Sequence, residues 1–271
     1  METAFQKLLH FDQNVLAGLL LLAFYTLESI GSRSPTRSPT RSPRTSHLLA
    51  SVGLQVGYLA VNAACAVAVV AGFQVIEQYH LGLLNQWVLP YPVKLGVGLL
   101  GFDFIFYWAH CWYHVSPLFW RLHRVHHSDT YLDSASAFRF HPLDAVLDST
   151  MTLVAAAVFG LDFDNVLCYF LLFLPLLFAQ HSTLVFPAWT DTLLGKVLVS
   201  PNLHKVHHHQ KQEFTDSNYG FLFSFWDRLF GTFRQLPVDQ IDYGLAEFDA
   251  PDKQRVGYLL KSPFIQVKRL P

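Results

Sequence analysis

The chain is 271 residues long, 52% of them hydrophobic and only 14% charged, with a net charge of −1. Soluble domains carry about 25% charged residues, so the composition excludes a disordered chain and argues against a soluble globular enzyme. It also supplies no positive excess for neutralising phosphates, which argues against nucleic-acid binding. Cys65, Cys111 and Cys168 show no CxxC spacing, so neither a disulfide framework nor a thiolate zinc site is expected. The unusual count is 14 histidines, eleven of them between His110 and His209.

Residues 14–30 are apolar apart from Glu28. At about 1.5 Å per residue they just reach across a hydrocarbon core of about 30 Å. The segment before them is not basic and no small-residue cleavage site follows, so 1–31 reads as a membrane anchor rather than a signal peptide. Residues 32–47 form an Arg/Ser/Pro linker with RSPT twice and then RSPR. Its arginines Arg33, Arg37, Arg41 and Arg44 put it on the cytoplasmic side by the positive-inside rule. Residues 48–76 contain no Asp, Glu, Lys or Arg and are the strongest transmembrane candidate. After an aromatic loop with Trp87 and Tyr91, a third span over 93–109 carries Asp103 inside it. A second apolar block, 145–180, is broken at 160–164, which suits a hairpin of two short tilted or re-entrant helices. The expected fold is all-α: a polytopic helical membrane bundle of four or five membrane segments, with a cytosolic histidine-rich di-metal helical cap. Residues 48–238 form that domain, and 239–271 a polar C-terminal tail.

The histidines fall into spaced groups. His110 and His114 form HxxxH; His123, His126 and His127 form HxxHH; His204, His207 and His208 form a second HxxHH with His209 trailing; His181 stands alone after the hairpin. On a helix, positions i, i+3 and i+4 share one face, so each motif aims its rings one way. Neutral imidazole is a common ligand for transition metals, and nine rings exceed what one tetrahedral ion holds. The count favours two ions bound by nitrogen. HExxH would have suggested a zinc protease, but position 111 is Cys. His10, His47 and His80 lie outside the pattern and read as incidental. The aromatics Trp108, Trp112, Tyr113, Phe119 and Trp120 read as an interfacial belt or as the lining of a lipid path to the metals.

HCWYH, HRVHH and HKVHH, in this order after apolar spans, resemble the boxes of the fatty acid hydroxylase / sterol desaturase superfamily, membrane-bound non-haem di-iron oxygenases. FDFIFYWAHCWYH, SDTYLDSASAFRFHP and TDSNYGFLFSFWDRLFGTF resemble the family's flanking stretches, over about residues 93–233. The resemblance implies two iron ions, O2 as co-substrate, and metal ligation by His110, His114, His123, His126, His127, His181, His204, His207 and His208, with His141 a tentative tenth. No side chain beyond these ligands is expected to act as a nucleophile. Carboxylates and amides are expected to orient the rings, with Asp103, Asp129 and Asn218 as candidates, and Asp133 and Asp216 beside them.

The implied reaction is hydroxylation or desaturation of a sterol or fatty-acyl lipid drawn from the bilayer. No HPGG haem-binding pattern occurs in the chain, so electrons are expected from a separate cytochrome b5-like protein, ferredoxin or flavin reductase. The expected location is the endoplasmic reticulum in a eukaryote or the inner membrane in a bacterium. Two readings compete: an ether-lipid monooxygenase with the same site, and a non-enzymatic zinc-binding membrane protein.

Overall fold

The computed structural model describes residues 11–31 and 44–266. Most of the Arg/Ser/Pro repeat, and His10, lie outside the described residues. Six helices build the body: α1 (Gln13–Ile30), α2 (Arg44–Gln78), α3 (Tyr91–Val115), α4 (Pro117–His127), α5 (Asp144–Phe159) and α6 (Phe163–His181). Short helices follow: α7 (Trp189–Thr192), α8 (Pro201–His207), α9 (Gln212–Thr215), α10 (Phe225–Phe230) and α11 (Val256–Lys261). Among the described residues there is no strand, and the all-α expectation holds.

Four segments are long and apolar enough to cross a membrane by length and composition: Gln13–Ile30, Arg44–Gln86, Tyr91–Val115 and Phe163–His181. The middle of α2 exposes Val56, Val67 and Val70. A helix that is apolar all round yet barely covered by its own protein is solvated by lipid. With α5 as a shorter fifth element, the count meets the expected four or five segments.

The break at 160–164 has a local cause. Gly160 takes a left-handed φ of 73° at the end of α5, where a side chain would be strained. Asp162 then caps α6 by accepting the Asn165 N–H, while Asn165 returns the bond to the Asp162 N–H. The α5–α6 hairpin therefore turns sharply, beside the loop that joins α2 to α3: Gly82 abuts the Gly160 backbone. Both hairpins turn at one end of the bundle, and all the histidine motifs are left at the other. Helix α2 lies close against the start of α5 because Gly57 has no side chain. A Cβ there would come within 2.7 Å of Pro142.

Helix α2 starts at Arg44, earlier than the composition suggested, because its first turns are packed under the cap. His47, Ala50, Ser51 and Leu54 are all buried. Arg44 is accordingly no free linker charge. Its guanidinium bonds Glu28 at 2.8 Å and Ser29 Oγ at 2.7 Å, and stacks over the Tyr25 ring at 3.7 Å. Glu28 is fully buried although α1 is otherwise apolar and lipid-exposed. It accepts from the Ser134 N–H (2.9 Å), Ser134 Oγ (2.9 Å) and the Thr183 N–H (2.8 Å). One carboxylate thus ties the first helix to two loops of the cap.

The segment from 239 to 266 is packed rather than loose. Ile241, Phe248 and Leu259 are buried, and Phe248 and Leu259 join Leu54, Trp120 and Val125 in one core. Gln254 donates to the Ser128 carbonyl (2.9 Å) just after the second histidine motif.

Removing the Glu28 carboxylate takes from Arg44 its Glu28 partner, though the Ser29 Oγ bond stays, and leaves two buried N–H groups without their acceptor. Glu28→Ala is expected to lower stability by about 3 kcal/mol, read as a lower unfolding midpoint of the detergent-solubilised protein, and Glu28→Gln by less.

Candidate metal centre

Local sequence sets each imidazole. His110 and His114 occupy the last turns of α3, which stops at Ser116 before Pro117 opens α4. His123, His126 and His127 end α4. His181 is the last residue of α6. Ser200 caps α8 by accepting the Leu203 N–H, with Pro201 at the first helical position, so His204 and His207 sit on its last turn and His208 closes it.

These nine rings gather into two adjoining groups. The ligand atoms of His110, His114, His123, His127 and His207 lie within 4.8 Å of one another, as do those of His126, His181, His204 and His208. All nine are buried. The groups touch: the His127 and His208 rings stack at 4.7 Å and the His204 and His207 rings meet at 5.5 Å.

Hydrogen bonds fix which nitrogen faces inward. His110 Nδ1 donates to the Tyr219 carbonyl (2.8 Å), His181 Nδ1 to the Leu177 carbonyl (2.8 Å) and His207 Nδ1 to the Ser217 carbonyl (2.6 Å). His114 Nδ1 donates to Asp216 Oδ1 (3.1 Å). A carbonyl can only accept, so Nδ1 carries the proton and Nε2 of the neutral ring is a bare lone pair. Those Nε2 atoms converge. His123 Nε2 lies 3.1 Å from His110 Nε2 and 3.2 Å from His127 Nε2. In the second group, His181 Nε2 lies 3.2 Å from both His126 Nε2 and His204 Nε2, and His204 Nε2 lies 3.1 Å from His208 Nε2. His207 Nε2 is buried with no hydrogen-bond partner among the described residues.

Inward lone pairs need a positive charge among them. A proton is opposed, since burial pushes His123, His126, His127, His204, His207 and His208 well below the ordinary imidazole pKa. A metal ion answers better. Two nitrogens each about 2.1 Å from one ion lie about 3.0–3.4 Å apart, which matches the spacings. The residues therefore fit two nitrogen-ligated ions, five donors for one and four for the other. Imidazole alone suits iron, zinc, copper or nickel.

Other sequence candidates fall elsewhere. His141 Nε2 donates to the Leu260 carbonyl (3.2 Å) and its Nδ1 accepts from the Leu143 N–H (3.2 Å), so it stands outside both groups. His209 Nδ1 accepts from the Lys211 N–H (2.9 Å) and its ring stacks on Phe214. Asp103 is fully buried but touches no histidine. It accepts from Tyr169 Oη (2.5 Å), the Leu222 and Phe223 N–H groups (3.0 and 3.2 Å) and Trp226 Nε1 (2.9 Å), so it pins the loop that carries Tyr219. Asn218 likewise bonds the Leu203 and Arg234 carbonyls (2.9 and 2.8 Å) rather than a ring. Asp216 does reach a ring, at His114. Trp108 and Trp112 are exposed on α3, while Tyr113 and Trp120 are buried against histidines.

Asp129 is clasped by His47 Nε2 at 2.7 Å, and Asp133 lies 3.3 Å from His47 Nδ1. His47 is thus no bystander; it is buried between two carboxylates that follow the second motif. The positive charges of His47 and Arg139 hold the Asp129 carboxyl far below its usual range, whereas burial pushes Asp133 up to about 6. Sequence spacing also passed over Asp227. It accepts from the Tyr219 N–H (2.7 Å), the Gly220 N–H (3.0 Å) and Thr232 Oγ1 (2.7 Å), and so sets the carbonyl that holds His110. No spacing rule marks such residues, because their partners are distant in the chain or are backbone.

The lowered imidazole pKa values have a sign. In the unfolded chain these six rings protonate as the pH falls through about 6.5; in the folded chain they stay neutral to well below that. Stability is therefore full above pH 6.5 and declines as the pH falls below it. Chelator-treated protein is expected to lose thermal stability steeply between pH 7 and pH 5, while a variant with Ala at His123, His126 and His127 shows a shallower slope.

A family model described as fatty acid hydroxylase matches residues 95–232. Alkylglycerol monooxygenase from Danio rerio is 31% identical over 158 residues, 55% of this chain and 32% of the relative. Delta(7)-sterol-C5(6)-desaturase from Nicotiana tabacum is 30% identical, over 56% of this chain and 53% of the relative. Ornithine lipid hydroxylase OlsE from Rhizobium tropici is 26% identical, over 70% of this chain and 56% of the relative. The matches thus span a third to a little over half of these relatives' own lengths. No solved structure matches the chain. Since the family model covers just over half of the residues and takes in every clustered histidine, the chain belongs to the fatty acid hydroxylase family.

Proposed function

We propose that this chain is a membrane-bound non-haem di-iron oxygenase that uses O2 and two external electrons to hydroxylate or desaturate a lipid. The observation that carries the reading is the pair of buried, all-imidazole groups at one end of an apolar helix bundle. His110, His114, His123, His127 and His207 would hold one iron, and His126, His181, His204 and His208 the other. Bound iron would supply the change of oxidation state that O2 reduction and attack on an unactivated C–H bond require, and that no side chain here possesses.

The chain's own part is positioning and exclusion. Backbone carbonyls of Tyr219, Leu177 and Ser217 keep the Nδ1 protons of His110, His181 and His207, so each Nε2 stays free to bind metal. Burial keeps water and protons away from the rings. The lipid-exposed helices give an acyl or sterol chain a route from the bilayer. A separate protein delivers electrons from the cap side, which faces the cytosol if the arginines near residues 33–44 obey the positive-inside rule. Ether-lipid oxidation is a second reading, supported by the alkylglycerol monooxygenases among the relatives.

Two measurements test this. Purified protein is expected to bind two irons per chain, and His207→Ala about one. Near-stoichiometric zinc with no O2-dependent turnover after iron loading would overturn the oxygenase. Lipid profiles of cells expressing the chain are expected to shift relative to cells expressing His123→Ala; identical profiles count against lipid oxidation.

A further inference from the structure

A second polar cluster lies beside the histidines, within the apolar bundle. Asp148 stands on α5, whose later turns run TLVAAAVF. Its Oδ2 accepts from Tyr58 Oη of α2 at 2.7 Å, and its Oδ1 from Tyr113 Oη of α3 at 3.3 Å. Asp144, one turn earlier on the same face, is buried; Oδ2 accepts the His141 N–H at 3.0 Å, while Oδ1 has no hydrogen-bond partner among the described residues. Three helices thus bring two carboxyls and two phenols together where ionisable groups are costly and rarely idle.

The cluster adjoins both metal groups. The Tyr113 ring lies 5.5 Å from the His123 ring. The Phe140 ring stacks on His126 at 4.3 Å and meets Tyr58 at 6.3 Å. The hydrogen bonds that orient His110, His114, His181 and His207 go instead to Tyr219, Asp216, Leu177 and Ser217.

Its hydrogen-bonding capacity is not filled. A carboxylate can accept about four hydrogen bonds, and Asp148 has two, the one from Tyr113 being long. Asp148 as a whole residue is only partly buried. A ligand group must donate to the carboxyls and accept from Tyr113. A hydroxyl does both. An ammonium only donates, and a carboxylate or phosphate would set a further negative charge against the pair.

We infer that Asp148, Tyr113, Tyr58 and Asp144 seat a free hydroxyl of the lipid substrate, so that the chain acts on lipid alcohols at a carbon near that hydroxyl. The inference rests on the oxygenase reading and narrows its substrate class. The hydroxyl donates to Asp148 Oδ1 and accepts from Tyr113 Oη, and the rings of Tyr113 and Phe140 set it beside the histidines of both groups.

Competitive photolabelling of the full chain in nanodiscs tests the seat without turnover. The probe is a diazirine-bearing hexadecyl glycerol ether. The competitors share a sixteen-carbon chain and differ at the polar end: the free glycerol ether, its di-O-methyl form, palmitic acid and hexadecylamine. The free glycerol ether is expected to compete at least about tenfold better than the methylated form. Asp148→Asn and Tyr113→Phe are expected to reduce that ratio to below about threefold with metal content unchanged. Equal competition by the free and methylated ethers, stronger competition by the acid or the amine, or a ratio preserved in both variants overturns the seat. Turnover separates the two readings. Discriminating binding without any O2-dependent product sinks the oxygenase and leaves the seat, whereas product formed equally from free and methylated ethers sinks the seat alone.

Discussion

Nine imidazoles are crowded into a dry space, each has to stay uncharged, and most of the fold serves that condition. A ring that faces a neighbour at 3.1 Å with its lone pair must put its proton elsewhere, and the place for it must be a rigid acceptor. For three of the rings the acceptor is a backbone carbonyl, Leu177 within α6 and Ser217 and Tyr219 in the loop after α9, and for His114 it is Asp216. Loops make imprecise acceptors unless they are tied down. Asp227 grips the N–H groups of Tyr219 and Gly220, Asp103 grips those of Leu222 and Phe223 from inside α3, and Asn218, at φ 50°, bridges two carbonyls. The buried carboxylates thus act at one remove: they hold the backbone that holds the rings.

The same logic joins the bundle to its cap. Apolar helices in lipid have little reason to choose one docking angle against a polar cap, because lipid tails solvate them as well as leucine does. Polar groups supply the choice. Glu28 of α1 and His47 of α2 are buried against the segment that follows α4, through Ser134, Asp129 and Asp133. Each would be expensive to bury alone, and each is met by several partners, as buried charge requires.

The sequence carried the parts of this arrangement that are periodic. Apolar runs marked the spans, and i, i+3, i+4 histidines marked the rings that the fold gathers. The hairpin was legible too, because a left-handed glycine and an Asp cap are local chemistry. What stayed hidden depends on contacts between distant residues. His47 looked incidental because Asp129 lies 82 residues away. Asp103 was expected to meet a histidine and instead meets backbone 119 residues on. Asp148 drew no notice at all, since one acid in an apolar block has no motif. His141 and His209 carry the right ring, yet both His141 nitrogens and Nδ1 of His209 are taken by backbone.

Helix α2 also measures depth. His47 is clasped within the cap, and Tyr58 follows eleven residues later on the same rod, about 16 Å further along the axis. Because α2 is one unbroken helix, Tyr58 lies at a fixed level beneath the clasp, in the part of the bundle where neighbouring turns expose valine to lipid. A lipid seated as inferred would bring its polar end to that level, among the apolar turns, and would shed its water on the way. The loss is small for one hydroxyl and prohibitive for a phosphodiester. On the inferred hydroxyl seat, the geometry of a single helix would then act as a filter on head-group size and charge.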